Sequence, residues 1–146
     1  MGQPEEISSV SISYSDMNRN STYSYELEDA DGEILFSCYY FDEDADFKEV
    51  TLEDIPVDGK YMDELREIVA EHELLSRKRN EPGSIDLEVL DAPMYSLVLR
   101  WITTTEGRTF SDSLRLDYFP PGAEELRKHF KAMARLYACD AGTLHP

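Results

Sequence analysis

Along residues 7–14 (ISSVSISY) apolar and polar positions alternate, with Val10, Ile12 and Tyr14 on one face and Ser9, Ser11 and Ser13 on the other. A period of two is the pattern of a strand half buried against a core. After the turn-rich stretch DMNRNS (16–21), Tyr23, Tyr25 and Leu27 alternate with Ser24, Glu26 and Glu28, which predicts a second strand. Asp31-Gly32 supplies a hairpin turn, because glycine tolerates the positive φ that such turns need. Residues 34–41 (ILFSCYYF) are apolar on both faces, as a well-covered central strand would be, and Val50 and Leu52 continue a short strand after an acidic turn.

The period then changes to that of a helix. Tyr61, Leu65, Ile68, Val69, His72 and Leu75 form one stripe of a helix predicted from about Lys60 to Arg79. Asp58 stands where it can cap the N-terminus. Asp63 and Glu64 lie in the first turns and Arg77, Lys78 and Arg79 in the last, as the helix dipole prefers. Asn80, Pro82 and Gly83 end it. A second hairpin is predicted from Met94–Thr104 and Arg108–Phe119 across TTEGR. Tyr95, Leu97, Leu99 and Trp101 share one face of it, as do Phe110, Leu114, Leu116 and Tyr118. Pro120-Pro121-Gly122 breaks the strand. A second helix follows from about Ala123, with Leu126, Phe130, Met133 and Tyr137 on its stripe and Gly142 past its end.

YSYELEDADGEILF and YSLVLRWITTTEGRTF are each followed by a helix, a weak internal repeat in which neither half can bury its apolar face alone. The predicted fold is therefore α+β. It is a two-layer arrangement in which an antiparallel sheet of about six strands carries two helices on one face, built as two β-hairpin–helix halves. At 146 residues the chain has the length of one domain, residues 1–146, and needs no disulfide or metal to fold.

Charge changes the picture more than composition does. Asp and Glu number 31 against 14 Lys and Arg, for a net charge of -17. Residues 1–65 hold 18 acids and 3 bases (-15), and residues 66–146 hold 13 acids and 11 bases (-2). A field of that sign repels phosphate, so nucleic acid and anionic membranes are disfavoured and a basic protein partner is the interaction it suits. The same acidity also serves solubility alone. No run of about 18 apolar residues is present, and MGQPEEISSV has neither the basic region nor the apolar core of an export signal. The expectation is a cytoplasmic protein, although an export signal removed ahead of Met1 would leave the same sequence. The oligomeric state is left open. Cys38 and Cys139 fall in different elements and suit neither a disulfide framework nor a zinc knuckle.

The sharpest local pattern is FDEDADFKEVTLE, residues 41–53. Asp42, Asp44 and Asp46 alternate and Glu53 occupies the twelfth position, the carboxylate spacing of a helix–loop–helix calcium site. Position six is Phe47, where such loops use glycine for their sharp turn, and strands flank the stretch in place of helices. It reads as a solvated turn between strands, with Asp42, Asp44, Asp46 and Glu53 kept as a calcium-responsive alternative.

The segments YELEDADGEILFSCYYFDEDADFKEVTLEDI, VLDAPMYSLVLRW and LDYFPPGAEELRKHF resemble an uncharacterised family of small acidic bacterial proteins. The shared pattern is a tyrosine-bearing strand, a DG hairpin, a YFDE turn, an aromatic hairpin and an FP before the last helix. It covers about Tyr23 to Phe130, with departures at Ala92, where the pattern has glycine, and at Ala45-Asp46. The resemblance implies that residues 42–46 connect two strands, and it carries no activity, cofactor or site.

Catalytic motifs are missing from the sequence. There is no G-x-S-x-G elbow, P-loop, dinucleotide glycine fingerprint, H-E-x-x-H or C-x-x-C. His72 sits on the apolar stripe of the first helix, His129 lies mid-helix beside basic neighbours, and His145 is in the terminal tail. None has a partner that the sequence identifies. No catalytic residue, metal or cofactor is assigned. Arg127, Lys128, Lys131 and Arg135 give the last helix a basic side, either a docking surface for acidic groups or a solvated face. Ser9, Ser11, Ser13, Ser24, Glu26, Ser111, Ser113 and Arg115 are expected to line a polar sheet face, with Arg100 beside them, which is the candidate interaction surface. The function expected is a non-enzymatic interaction or binding domain. The alternatives are a small enzyme without a recognisable motif and a calcium-responsive module.

Overall fold

The computed structural model describes residues 6–30, 32–76 and 94–140. They form β1 (Glu6–Ser15), β2 (Tyr23–Ala30), β3 (Glu33–Asp42), β4 (Lys48–Pro56), α1 (Lys60–Glu71), β5 (Met94–Thr105), β6 (Arg108–Leu116) and α2 (Ala123–Asp140). All strand pairs are antiparallel and the order is β4-β3-β2-β1-β5-β6. The fold is α+β, as the alternation predicted. β1 joins the two halves, pairing with β2 on one side and β5 on the other, so the first half is a four-strand meander and the second a hairpin.

The register brings the apolar positions into rows. Ile12 lies opposite Tyr25 on β2 and Leu97 on β5, Tyr25 opposite Cys38, Cys38 opposite Leu52, and Leu97 opposite Leu116. A second row runs through Phe36, Leu27, Val10, Leu99 and Leu114. Every one of these side chains is buried. Both helices cover this face. Phe130 of α2 stacks on Tyr25 and Phe36, with ring centroids 5.6 and 6.2 Å apart, and Leu126, Met133, Ala134 and Ala138 line the same stripe. α1 contributes Met62, Leu65 and Val69 and runs antiparallel to α2, with Tyr61 against Tyr137 at one end and His72 against Gly122 at the other.

Two strands break the simple alternation. Ile7 faces the core yet stands three residues from Val10, and a bulge between Ile7 and Ser9 absorbs the extra residue. Arg66 of α1 closes that end, donating from Nε and Nη2 to the Ile7 carbonyl at 3.0 and 2.8 Å and pairing with Asp29, Glu6 and Asp63. In β4 the register shifts opposite Ser37, and Asp54 takes a left-handed φ of 47° while its N–H donates to the Ser37 hydroxyl at 3.0 Å.

The ends of several elements differ from the pattern-based expectation. α1 stops at Glu71, short of Arg79. The His72 N–H still reaches the Ile68 carbonyl, but Glu73 turns left-handed (φ 50°) and the chain continues as a 3-10 turn over Leu74–Ser76 that buries Leu74. The predicted stop signals Asn80, Pro82 and Gly83, the basic turn Arg77–Arg79, Gly142 and His145 lie outside the described residues. β6 ends at Leu116, opposite Leu97, and Phe119 swings onto Tyr95 with centroids 4.8 Å apart. Phe110 has the core-facing register but is 54% exposed. Asp58 does serve the start of α1, accepting from the Lys60 N–H at 2.9 Å. Among the described residues no helix is long and apolar enough to cross a membrane.

Cys38 is buried in the central row and Cys139 is half-buried; both are free thiols. Burial pushes the Cys38 thiol up to about 12, so almost none is thiolate near neutral pH. A thiol reagent at pH 8 should therefore modify Cys38 in the native chain only at the unfolding rate. In denaturant both cysteines should react at once, which a timed mass-spectrometric assay resolves.

Candidate functional site

The acidic stretch is a hairpin tip joining β3 to β4. Residues 43–45 make a 3-10 turn, Asp46 and Phe47 follow with left-handed φ of 55° and 57°, and the Phe47 N–H donates to the Asp42 carbonyl at 2.8 Å to close the loop. Phe47, at the position where calcium loops use glycine, adopts this left-handed backbone at a cost on the order of 1 kcal/mol. Glu53 lies five residues into β4 from Lys48, roughly 16 Å along the strand at about 3.3 Å per residue. Glu53 therefore stands well away from the hairpin tip that carries Asp42 and Asp46.

What the tip meets is α2. Asp42 is fully buried; its Oδ2 lies 3.3 Å from Arg135 Nε and accepts from the Tyr40 hydroxyl at 3.2 Å. Lys131 donates to Glu43 Oε1 at 2.9 Å, and that ammonium holds the Glu43 carboxyl below the usual carboxylate range. One turn earlier, Arg127 pairs with Glu124 and places its guanidinium 5.8 Å from the Tyr23 ring centroid. Three of the four residues on the basic side of α2 thus have partners within the chain, two of them on the acidic tip. A carboxylate without water around it needs such partners, since an unpaired buried charge is far costlier than a paired one.

The opposite face of the sheet carries the serines. Ser9 pairs across to Glu28 and Arg100, Ser11 to Glu26 and Val98, and Ser13 to Ser24 and Ser96, while Arg100 faces Ser113, Val98 faces Arg115 and Ile102 faces Ser111. The expected face residues, Ser9, Ser11, Ser13, Ser24, Glu26, Ser111, Ser113 and Arg115, do share one side. Ser9 is buried, the others are half-buried or exposed, and Val98, Ile102, Leu35 and Tyr39 interleave with them. Charge divides across this face. Glu26, Glu28 and Glu33 stand on β2 and β3, Arg100 and Arg115 on β5 and β6, with the β1 serines between. Arg115 lies 3.6 Å from Asp117.

The two described histidines stitch the helices together. His72 Nε2 is 3.0 Å from Glu125 Oε1 in the first turn of α2. Its ring is seated on Gly122 (φ 99°), where a Cβ would come within 2.6 Å of the imidazole. His129 Nε2 is 2.9 Å from Glu64 Oε2 on α1, an ion-pair distance without hydrogen-bond alignment. Sequence reasoning found neither glutamate. The apolar stripe located both histidines, but a contact spanning 53 residues has no signature in spacing. Among the described residues, Glu71, His72 and Glu125 form the one group of at least three potential metal donors, all within 4.8 Å of one another.

Comparison with known protein families, curated proteins and solved structures finds no match.

Replacing Asp42 with Asn leaves Arg135 without its buried carboxylate and should destabilise the fold by about 2 kcal/mol, less than for a fully buried pair because Arg135 keeps some solvent. Asp46→Asn, at an exposed left-handed position that asparagine tolerates, should stay within about 0.5 kcal/mol. Urea unfolding of the two variants checks the contrast.

Proposed function

We propose that this chain is a non-enzymatic protein-interaction domain that presents the sheet face opposite α1 and α2 to a basic protein partner. The observation that supports this reading is the distribution of the charges. The basic side of α2 is largely occupied by acids of the same chain, whereas Glu26, Glu28 and Glu33 sit together on the open face and, among the described residues, none of the three is in an ion pair.

Such a face suits recognition. Its central strand offers short hydroxyls that adapt to a partner's donors and acceptors, and the half-buried Val98 and Tyr39 add apolar area between them. Lysine and arginine side chains would gather over β2 and β3, and the Arg100 and Arg115 flank would set orientation by repelling them. Affinity from such charges is modest and long-range attraction raises the encounter rate, so binding should weaken steeply with salt.

A lysine-rich peptide of about 20 residues serves as the probe, with binding followed by fluorescence anisotropy across a sodium chloride series. The triple variant Glu26→Gln, Glu28→Gln, Glu33→Gln should lose about tenfold or more in affinity at low salt, each lost charge pair contributing up to about 1 kcal/mol. Neutralising Glu67, Glu73 and Glu106, which changes the net charge equally, should cost much less. Equal losses in the two variants would mean that net charge alone attracts the probe and would overturn the assignment of the face.

A further inference from the structure

We propose that Glu71, His72 and Glu125 form a site for a divalent first-row transition ion, zinc foremost, joining the C-terminal end of α1 to the first turn of α2. One imidazole nitrogen and two carboxylates are the donor types that zinc takes. Three protein ligands with water completing the shell is an arrangement proteins use for it. Their donor atoms lie within 4.8 Å of one another. Bonds of about 2.0–2.1 Å in a tetrahedral shell put donors about 3.3 Å apart. His72 Nε2 and Glu125 Oε1, at 3.0 Å, are already near that spacing. Glu71 and Glu125 are exposed, so their carboxylates can close the rest by rotation.

The imidazole is set in place before any ion arrives. Gly122 leaves room for the ring to lie against the backbone, and a Cβ there would overlap it at 2.6 Å. A donor held by packing loses little freedom on binding. The two carboxylates share this corner, and among the described residues no Lys or Arg is paired with either of them. The α1 C-terminus favours a cation and the α2 N-terminus opposes it, so the helix dipoles roughly cancel and the donors decide. Calcium and magnesium prefer shells of six or more oxygens and suit this set poorly, whereas imidazole with carboxylate suits zinc and its neighbours. The net charge of -17 raises the local concentration of any cation, so selectivity is the decisive property.

The test uses the full chain, stripped with chelator and exchanged into metal-free buffer. Zinc, calcium and magnesium are titrated at matched ionic strength by calorimetry, with melting followed in parallel. One zinc per chain is expected, with a dissociation constant on the order of micromolar, a zinc-specific rise in melting temperature, and no comparable response to calcium or magnesium. Glu71→Gln is the informative variant, because the side chain is exposed and the metal-free melting temperature should not move. It should weaken zinc binding at least about tenfold, the lower bound set by losses from outer-shell partners alone. His72→Asn should abolish the site, while His129→Gln and His145→Gln should leave it intact. Zinc binding only at millimolar levels, binding unchanged by Glu71→Gln, or an equal response to all three ions would overturn the proposal.

Discussion

A carboxylate that loses its water must be met by cations or donors in fixed positions, and among the described residues Asp42 is the one buried carboxylate. It ends β3, fully buried, with Arg135 of α2 and the hydroxyl of Tyr40 against its oxygen. Meeting the requirement fixes more than one contact. It anchors the hairpin tip to the helix, sets the height of α2 along the sheet, and lets the tip keep two consecutive left-handed residues, one of them phenylalanine. Backbone strain of that kind persists only where the surroundings over-determine it. Lys131 on Glu43 and Phe47 N–H on the Asp42 carbonyl supply the remaining constraints.

The rest of the molecule repeats the device in weaker form. At the bulged end of β1 and at the β3–β4 tip, acids of the sheet side meet bases of a helix. Arg66 gathers the Ile7 carbonyl, Asp29 and Glu6 at the bulged end of β1, so α1 is tied to the sheet centre. The pairs His72–Glu125 and His129–Glu64 then set α1 against α2. Surface pairs of this sort contribute little individually to stability. What they add is position, tying α1 to the sheet and the two helices to each other at named points. Glu26, Glu28 and Glu33 on the opposite face are in no ion pair among the described residues, which is the basis of the proposed interaction surface.

The strands were legible because a period of two runs through them, although Leu35, Tyr39, Val98 and Ile102 place apolar groups on the serine face as well. Even the bulge in β1 has a trace in the sequence, since Ile7 and Val10 are three apart and cannot share a face in an unbroken strand. The helix stripes were equally plain. What could not be read were contacts between elements distant in the chain. The basic side of α2 was visible, yet nothing in its spacing names Asp42 and Glu43 as its partners, and carboxylates at alternate positions look alike whether they face solvent, an ion or an arginine. α1 stops at Glu71, and the packing of the His72 ring on Gly122 just past its end involves another element that no local pattern names. The pairing of β1 with β5, which places the N-terminal strand in the middle of the sheet, is likewise a long-range choice that hairpin patterns do not contain.

The measurement that bears most directly on this account is a double-mutant cycle between Asp42 and Arg135. Asp42→Asn, Arg135→Met and the double variant would be unfolded in urea beside the unmodified chain. If the carboxylate is held through the guanidinium, the double variant should be less destabilised than the sum of the single variants, by about 1–2 kcal/mol of coupling. Additivity within about 0.5 kcal/mol would mean that the two groups act independently, and the docking of the acidic tip on α2 would then need another cause.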